Sequence, residues 1–388
     1  MDSALRPQPS NVVPADRRAG RARRAAGRDG DPRLGGRRVS SRRIQEYRLY
    51  EAIQRQPAEL TRLLQASEPV DLAAETLGGA RRVFCVGIGT SWNAASVAAS
   101  LLASAGIDAR AWSSADFVQY SPKLTPDDAA MVFTHSGTKQ YSRAAIDLLG
   151  TKRAPIVLVT STESEIKAGA LPLGTTVLRT VTREQSAMFT VSHTAAMFLT
   201  ARVADAIRSG CAGDLDAIPH AVEAALGLEP EIASLAEAWH AKRTVVSLGA
   251  GPHEPSAHEA AIKIAEAARR PARGHAVEQF LHGPQAQVES SDAFLVFTGT
   301  GAGLDRTREA AAFVRTLGCE VAWVSPVAAP DGACHLAVPD VGEVIAPIVE
   351  IVPAQLLAGH LAAIEGVDAD NFRRDDPAFG AARAAITL

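Results

Sequence analysis

Short apolar runs, each followed by a turn of small residues, recur along this chain. Residues 83–86 (VFCV) form the first run, residues 87–91 (GIGTS) form a tight turn, and a helical pattern follows. Residues 130–133, then 134–138, then a helix from about Gln140 repeat this order. Such a run before Gly, Ser and Thr is typical of a buried strand that leads into a helix. Further strands are predicted at residues 155–159 and near residues 176–178.

The second half of the chain restarts the same pattern. TVVSLGAGPHEPSAHEAAIKIAEAA and DAFLVFTGTGAGLDRTREAAAFVRTLG each read as strand, Gly-rich turn and helix, and EVAWVSP reads as the next strand. Strands that alternate with helices predict parallel sheets covered by helices, and two copies of one theme predict an internal duplication. The predicted fold class is therefore α/β, with two tandem domains, each a parallel sheet flanked by helices.

Helical periodicity over residues 43–65, interrupted at Pro57, predicts where ordered structure begins. We predict a disordered Arg-rich tail (residues 1–43), N-terminal helices (44–75) and a first domain (76–211). A helical linker (212–241), a second domain (242–370) and a C-terminal tail (371–388) follow.

Composition favours a globular protein without a strong overall charge. Of its 388 residues, 47% are hydrophobic, and the net charge is −3, which gives no pull towards nucleic acid or membrane. We see no apolar run of the roughly 18 residues that a membrane helix needs, and no secretory segment. The four cysteines include no CxxC pair, which favours a reducing, cytoplasmic setting without zinc or disulfides.

The first 43 residues differ from the rest in charge. They hold twelve arginines and four aspartates without apolar periodicity, which indicates disorder. A nucleic-acid arm is one interpretation. An accessory tail, or a start codon assigned too early, is the favoured one.

Two of the turns could bind an anion. Backbone N–H groups and hydroxyls point at the helix N-terminus in such units, and the first turn offers Thr90 and Ser91. Small residues also simply make turns and cap helices. The second turn adds a lysine, which makes a phosphate site as plausible as capping; its candidates are Thr134, Ser136, Thr138 and Lys139. Neither turn is a Walker A loop or a complete GxGxxG, so no nucleotide is implied.

A helix in the second half combines two carboxylates and a lysine. Glu259, Lys263 and Glu266 are spaced so that they share one face, where the lysine would keep the carboxylates ionised. A solvated ion pair is the commoner meaning of this spacing. His282, before Gly283 and Pro284, lies at a predicted loop, where a functional histidine is plausible. Aldose–ketose isomerisation needs one base near C1 and C2 and a group that opens the ring.

Several motifs together resemble those of one family. YEAIQRQPAEL, VGIGTSWNAA, THSGTKQ, HEAAIKIAE, FLHGPQA and VGEVIAPIVEIVPAQLLAGHLAAIEGVDAD resemble the SIS (sugar isomerase) domain family, in particular the isomerase half of glucosamine-6-phosphate synthase. The resemblance covers most of residues 46–375. Its most specific matches are the last motif and the spacing from Glu266 to His282.

The resemblance implies a role for each matching position. Glu266 matches the carboxylate that moves a proton between C1 and C2, with Glu259 and Lys263 as polar neighbours. His282 matches a histidine that assists ring opening from a second subunit, which implies a homodimer. The residues implied to hold the sugar phosphate are Thr90, Ser91, Thr134, His135 and Ser136.

The chain also departs from this family. The family's glutaminase domain starts with a cysteine after the initiator Met, whereas this chain begins Met1-Asp2-Ser3, so we expect no ammonia release from glutamine. Arg383 stands nearest to the position of a Schiff-base lysine, and arginine is a poor imine former. Phe189 and Val191 stand where a serine and a lysine are expected. The tail adds charges that could hold an anionic substrate or form a surface cluster: Arg373, Arg374, Asp375 and Asp376.

The function expected is proton transfer on a phosphorylated sugar or amino sugar, by an enzyme. Isomerisation, deamination and deglycation of an amino-sugar phosphate all fit, and amino transfer with external ammonia is an alternative. A non-catalytic sugar-phosphate sensor is another, although no partner module such as a helix-turn-helix is evident. No cofactor and no metal are expected, because the ten histidines show no ligand pairing. Neither nucleic acid nor membrane is an expected partner.

Overall fold

The computed structural model describes residues 42–387. The predicted tail lies outside these residues except for Arg42 and Arg43. A 3-10 turn (Ile44–Glu46) precedes three helices, α1 (Arg48–Gln54), α2 (Gln56–Leu63) and α3 (Glu68–Gly78). The predicted interruption at Pro57 occurs at Arg55. Pro57 lies in the first turn of α2, where its missing N–H breaks no helical hydrogen bond.

Two parallel sheets follow, separated by helices α8 (Ile218–Leu226) and α9 (Glu229–Trp239). The strands of the first sheet are β1 (Arg82–Gly87), β2 (Ala109–Ser113), β3 (Asp128–Phe133), β4 (Ile156–Thr160) and β5 (Thr176–Arg179). Those of the second sheet are β6 (Val245–Gly249), β7 (Ala272–Ala276), β8 (Ala293–Phe297), β9 (Glu320–Ser325) and β10 (Cys334–Ala337). The α/β prediction is confirmed.

Helices flank both sheets. Around the first sheet these are α4 (Thr90–Ser104), α5 (Ser114–Gln119), α6 (Gln140–Lys152) and α7 (Val191–Ile207). Around the second they are α10 (Glu254–Ala268), α11 (Val277–Leu281), α12 (Leu304–Thr316) and α13 (Pro347–Ile364). A last helix, α14 (Pro377–Ala384), follows.

The two sheets share one topology. The first has the order β2-β1-β3-β4-β5, and the second, read from β7, has the order β7-β6-β8-β9-β10. A methyl group at Gly87 would lie 2.1 Å from the carbonyl oxygen of Ser91, and one at Gly249 would lie 2.1 Å from that of His253. These positions therefore correspond between the halves. Because β3 and β8 hold the same register beside β1 and β6, the turn at residues 134–139 corresponds to the turn at residues 298–303.

One hydrophobic core continues across both halves and the N-terminal helices. Helices α4 and α10 pack against each other. The turn at residues 87–91, which leads into α4 of the first half, therefore lies beside a helix of the second half. Helix Pro347–Ile364 is long and apolar enough to cross a membrane, contrary to the sequence-based expectation, but 83% of it is buried inside the protein. Its apolar residues are accounted for by this core.

Candidate functional site

The first turn is hydrogen-bonded to the second half of the chain. Gly89 has a φ of 59°, which a side chain rarely adopts, and α4 begins immediately after it. Thr90 Oγ1 donates to Glu259 Oε1 at 2.9 Å, and Asn93 Nδ2 donates to Glu259 Oε2 at 2.7 Å. Both oxygens of a carboxylate from α10 are therefore bound by α4, on the first turn of which Ser91 also lies.

Glu259, Lys263 and Glu266 form a continuous chain of ionic contacts. Lys263 Nζ lies 3.4 Å from Glu259 Oε1 and 2.8 Å from Glu266 Oε2. The side chains of Lys263 and Glu259 are buried, whereas that of Glu266 is 25% exposed. This series of ionic contacts therefore connects a buried carboxylate, Glu259, to one that a small molecule can reach, Glu266.

Glu259 and Lys263 hold each other in the ionised state. Burial alone would raise the pKa of Glu259, but Lys263 and the donors Asn93 and Thr90 outweigh it, so that pKa is lowered. Burial alone would lower the pKa of Lys263, but Glu266 and Glu259 outweigh it and raise that pKa. A protonated lysine therefore lies between two carboxylates.

The second turn lies beside the first at the carboxyl edge of the sheet, where ligands of parallel sheets bind. Thr134 Oγ1 accepts a hydrogen bond from Gly137 N at 3.2 Å, and Ser136 Oγ lies 2.7 Å from Thr138 Oγ1. Lys139 is the residue before α6, in extended conformation. The hydroxyls and the lysine predicted to bind phosphate thus lie within one short turn.

His135 and Phe189 narrow the space between the two turns. Their ring centroids are 4.7 Å apart, and His135 Nε2 accepts from the backbone N–H of Glu184 at 3.3 Å. Burial lowers the pKa of His135. The cavity lined by both turns, Phe189 and His193 has a volume of about 30 Å³. Phe189, at a position where a serine was expected, thus lines this cavity with a larger side chain.

Two functional candidates were missed by the sequence reasoning, Glu184 and His193. The Glu184 carboxylate accepts hydrogen bonds from the backbone N–H groups of Thr190 and Ser192 and so caps α7. His193 is buried, burial lowers its pKa, and the charges of Glu259 and Lys263 act on it. The available signal was the EQSAMFTVSHT stretch, of which only Phe189 and Val191 were considered.

His282 is not joined to this ionic chain within the described residues. Its side chain is 70% exposed, and Nε2 lies 2.8 Å from Glu278 Oε1. Glu278 is in turn bound by Arg306 Nε at 2.7 Å. A solvent-facing histidine could serve a second copy of the chain, but its role and the homodimer stay predictions.

The C-terminal tail brings cations to the second turn. Burial, and then the positive charges of Arg383 and Arg374, lower the pKa of Lys139. Arg374 and Arg383 also line a solvent-filled cleft with the rings of Phe372 and Phe379. Arg373 instead pairs with Asp376 at 2.7 Å. In the part of the chain that the structure describes, Lys139, Arg374 and Arg383 have no ion pair with a carboxylate.

Comparison with known proteins identifies a known domain within the first half of the chain. The SIS domain model matches residues 76–204. Glutamine–fructose-6-phosphate aminotransferase of Gloeobacter violaceus is 26% identical over 331 residues, which cover 80% of this chain and 54% of that protein. The chain thus spans about half the length of the curated relatives it matches.

Among residues 42–387, no group of three or more His, Cys, Asp or Glu is placed to hold a metal ion.

Two solved structures share the fold over most of their length. The C-terminal domain of glucosamine-fructose-6-phosphate aminotransferase from Francisella tularensis has a TM-score of 0.75 at 19% identity, covering 84% of this chain and 98% of its own. Tagatose-6-phosphate ketose/aldose isomerase from Escherichia coli has a TM-score of 0.72 at 19% identity, covering 85% and 96%. Residues 76–204 therefore match a SIS domain, and the chain has the same fold as these two proteins, with two parallel five-stranded sheets flanked by helices.

Proposed function

We propose that this protein is a phosphosugar-processing enzyme in which Glu266 moves a proton between C1 and C2 of its substrate. The observation that carries the proposal is the chain of contacts Thr90–Glu259–Lys263–Glu266. It joins the turns that suit a phosphate to a partly exposed carboxylate. The proteins of similar fold whose names give a substrate act on sugar phosphates.

Each group in this proposal has a chemical task. The hydroxyls of Thr134, Ser136 and Thr138 and the ammonium of Lys139 suit the oxygens of a phosphate. Glu266 accepts the proton as a carboxylate, and Lys263, bonded at 2.8 Å, positions it. His282 of a second copy would assist ring opening, so the proposal includes a homodimer.

The finer reaction depends on what replaces the family's lysine. The guanidinium of Arg383 does not form an imine, which disfavours the transfer of ammonia to an open ketose. Isomerisation, deamination and deglycation need only a base at C1 and C2 and a group that opens the ring, for which we propose Glu266 and His282. We therefore favour these three over an aminotransferase that uses external ammonia.

The experiment that tests the proposal is proton exchange at C2 of an aldose or at C1 of a ketose, followed by NMR in deuterated water. Fructose 6-phosphate, glucosamine 6-phosphate and related sugars would be offered to the wild type, Glu266→Gln and the control Glu309→Gln, whose exposed carboxylate lies on α12. Exchange should fall roughly 10²–10⁴-fold in Glu266→Gln, the contribution of a general base, and persist in the control.

A sensor gives a different result in the same experiment. It would bind one of the sugars without exchange, in the wild type as in Glu266→Gln. That outcome would reject the enzyme and favour the ligand-binding alternative.

A further inference from the structure

The turn at residues 298–303 contains a carboxylate of the protein itself. Gly301 N donates a hydrogen bond to Glu343 Oε1 at 3.1 Å. Gly301 corresponds to Gly137 of the first half, since both are the fourth residue after strands of equal register. Helix α12, of 13 residues, begins three residues later and favours a negative charge at this point. The second half therefore holds an anion where the first half is predicted to hold phosphate.

A buried histidine faces the same carboxylate. His253 is 1% exposed, and its Nε2 has no hydrogen-bond partner and lies 3.6 Å from Glu343 Oε1. Its Nδ1 lies 2.7 Å from Glu350 Oε2, and Ser256 Oγ donates to Glu350 Oε1 at 2.5 Å. Because Glu350 fixes the ring through Nδ1, the other nitrogen points at the site of the anion.

Two glycines make room for this carboxylate. A Cβ at Gly301 would lie 1.8 Å from Glu343 Oε2, and a Cβ at Gly299 would lie 3.1 Å both from Glu343 Cγ and from His253 Nε2. Neither glycine has the positive φ that would by itself require glycine. Because glycine has no Cβ, both positions leave space for the carboxylate or for another anion.

Among the residues that the structure describes, no carboxylate accepts a hydrogen bond from the corresponding turn of the first half. There the N–H of Gly137 is satisfied by Thr134 Oγ1 at 3.2 Å. The glutamate before α7, Glu184, instead binds the N-terminus of its own helix. The same loop is therefore left available in one half and filled in the other.

We propose that residues 298–303, with His253, form a second oxyanion site, and that the carboxylate of Glu343 occupies it as a tethered ligand that excludes free phosphate. The ligand class is a phosphate or phosphomonoester, which offers oxygens to the N–H of Gly301 and to the free nitrogen of His253. The Glu343 side chain is 29% exposed, so it can leave the loop without opening the core.

The test counts inorganic phosphate bound per chain by equilibrium dialysis, with the full chain. Glu343→Ala should bind one phosphate more than the wild type, and any phosphate held by the first half cancels in this difference. Glu343→Gln should bind none extra, because its amide oxygen can still accept from Gly301 N. Gly301→Val added to Glu343→Ala should abolish the extra phosphate by filling the loop.

Asp305→Ala is the matched control for charge, since Asp305 is 94% exposed in the first turn of the same helix. It should bind no extra phosphate. Glu343→Ser vacates the loop with a polar side chain and replaces Glu343→Ala if that variant does not fold. The proposal is overturned if neither variant binds more phosphate than the wild type, or if Asp305→Ala binds as much.

Discussion

The two halves of this protein have the same sheet order and the same turns but treat the anion position differently. In the first half, the turn at residues 134–139 is lined by hydroxyls and approached by cations that, within residues 42–387, have no ion pair with a carboxylate. In the second half, the glycine-rich turn at residues 298–303 is filled by Glu343. The two turns thus share a backbone that favours an anion, and in our proposals the side chains decide whether that anion is a substrate phosphate or a carboxylate of the chain.

The ionic networks of the halves differ in the same way. Glu259 and Lys263 belong to the second half, yet Glu259 accepts from Thr90 of the first, so this network joins the halves at the candidate site. The network of His253, Glu343 and Glu350 stays within the second half. We interpret the first as part of the candidate catalytic site and the second as the network that holds Glu343 in its loop.

Replacing Lys263 should have the largest effect on stability. Lys263→Met leaves the fully buried Glu259 without its cation, and breaking a buried pair in this way costs about 3–5 kcal/mol. Urea unfolding should show this loss. Arg110→Met removes an exposed cation paired with Asp108 and should cost about 0–1 kcal/mol. Equal losses in the two variants would show that the network is not the critical contact between the halves.

Strand and turn positions could be predicted from the sequence because buried strands and glycine turns leave local patterns. The strands that sequence reasoning missed, β2, β7 and β10, are short and lie beside a single neighbour or carry polar residues. Local patterns of apolar residues are weak in such strands.

The candidate site was predictable only in part. Glu259, Lys263 and Glu266 are close in sequence, and the helical period brings them together. Glu343 and His253 are separated by ninety residues, and only the fold brings them into one loop. The approach of Arg374 and Arg383 to Lys139 likewise depends on how the tail packs.

Gly137 and Gly301 occupy corresponding positions in the two halves. Adding a methyl group at each in turn should show which half binds the sugar phosphate. In Gly137→Ala, the residue must keep a φ of 73°, which costs roughly 1–2 kcal/mol, and its Cβ would lie 2.5 Å from Ile166 Cγ1. If the distorted turn makes the free energy of binding less favourable by about 1.4 kcal/mol, the affinity for the sugar phosphate falls tenfold.

Gly301→Ala is the matched variant of the second half. Its Cβ would overlap the Glu343 carboxylate and displace it, without touching the turn at residues 134–139 of the first half. Titration calorimetry with the sugar that supports exchange should show weaker binding in Gly137→Ala and unchanged binding in Gly301→Ala. The reverse order would place the substrate in the second half and refute our comparison.

The smallest expected effect is on how stability depends on pH. Burial alone would lower the pKa of His253, but Glu350 and Glu343 outweigh it and raise that pKa above 6.5. In the first half, burial lowers the pKa of His135 and of His193. His253 therefore binds its proton more tightly than an ordinary histidine, and His135 and His193 bind theirs less tightly.

These shifts act on opposite sides of pH 6.5, the ordinary pKa of the histidines. Stability from His253 is fully present below pH 6.5 and is lost as pH rises through its folded pKa, because the folded state binds the proton more tightly. The first-half histidines instead cost stability as pH falls below 6.5. Unfolding measured across pH 5–9 should show the high-pH loss in the wild type and not in His253→Gln. Glu343→Gln should lower the pKa of His253 in an NMR titration, and an unchanged pKa would mean that Glu350 alone holds the proton.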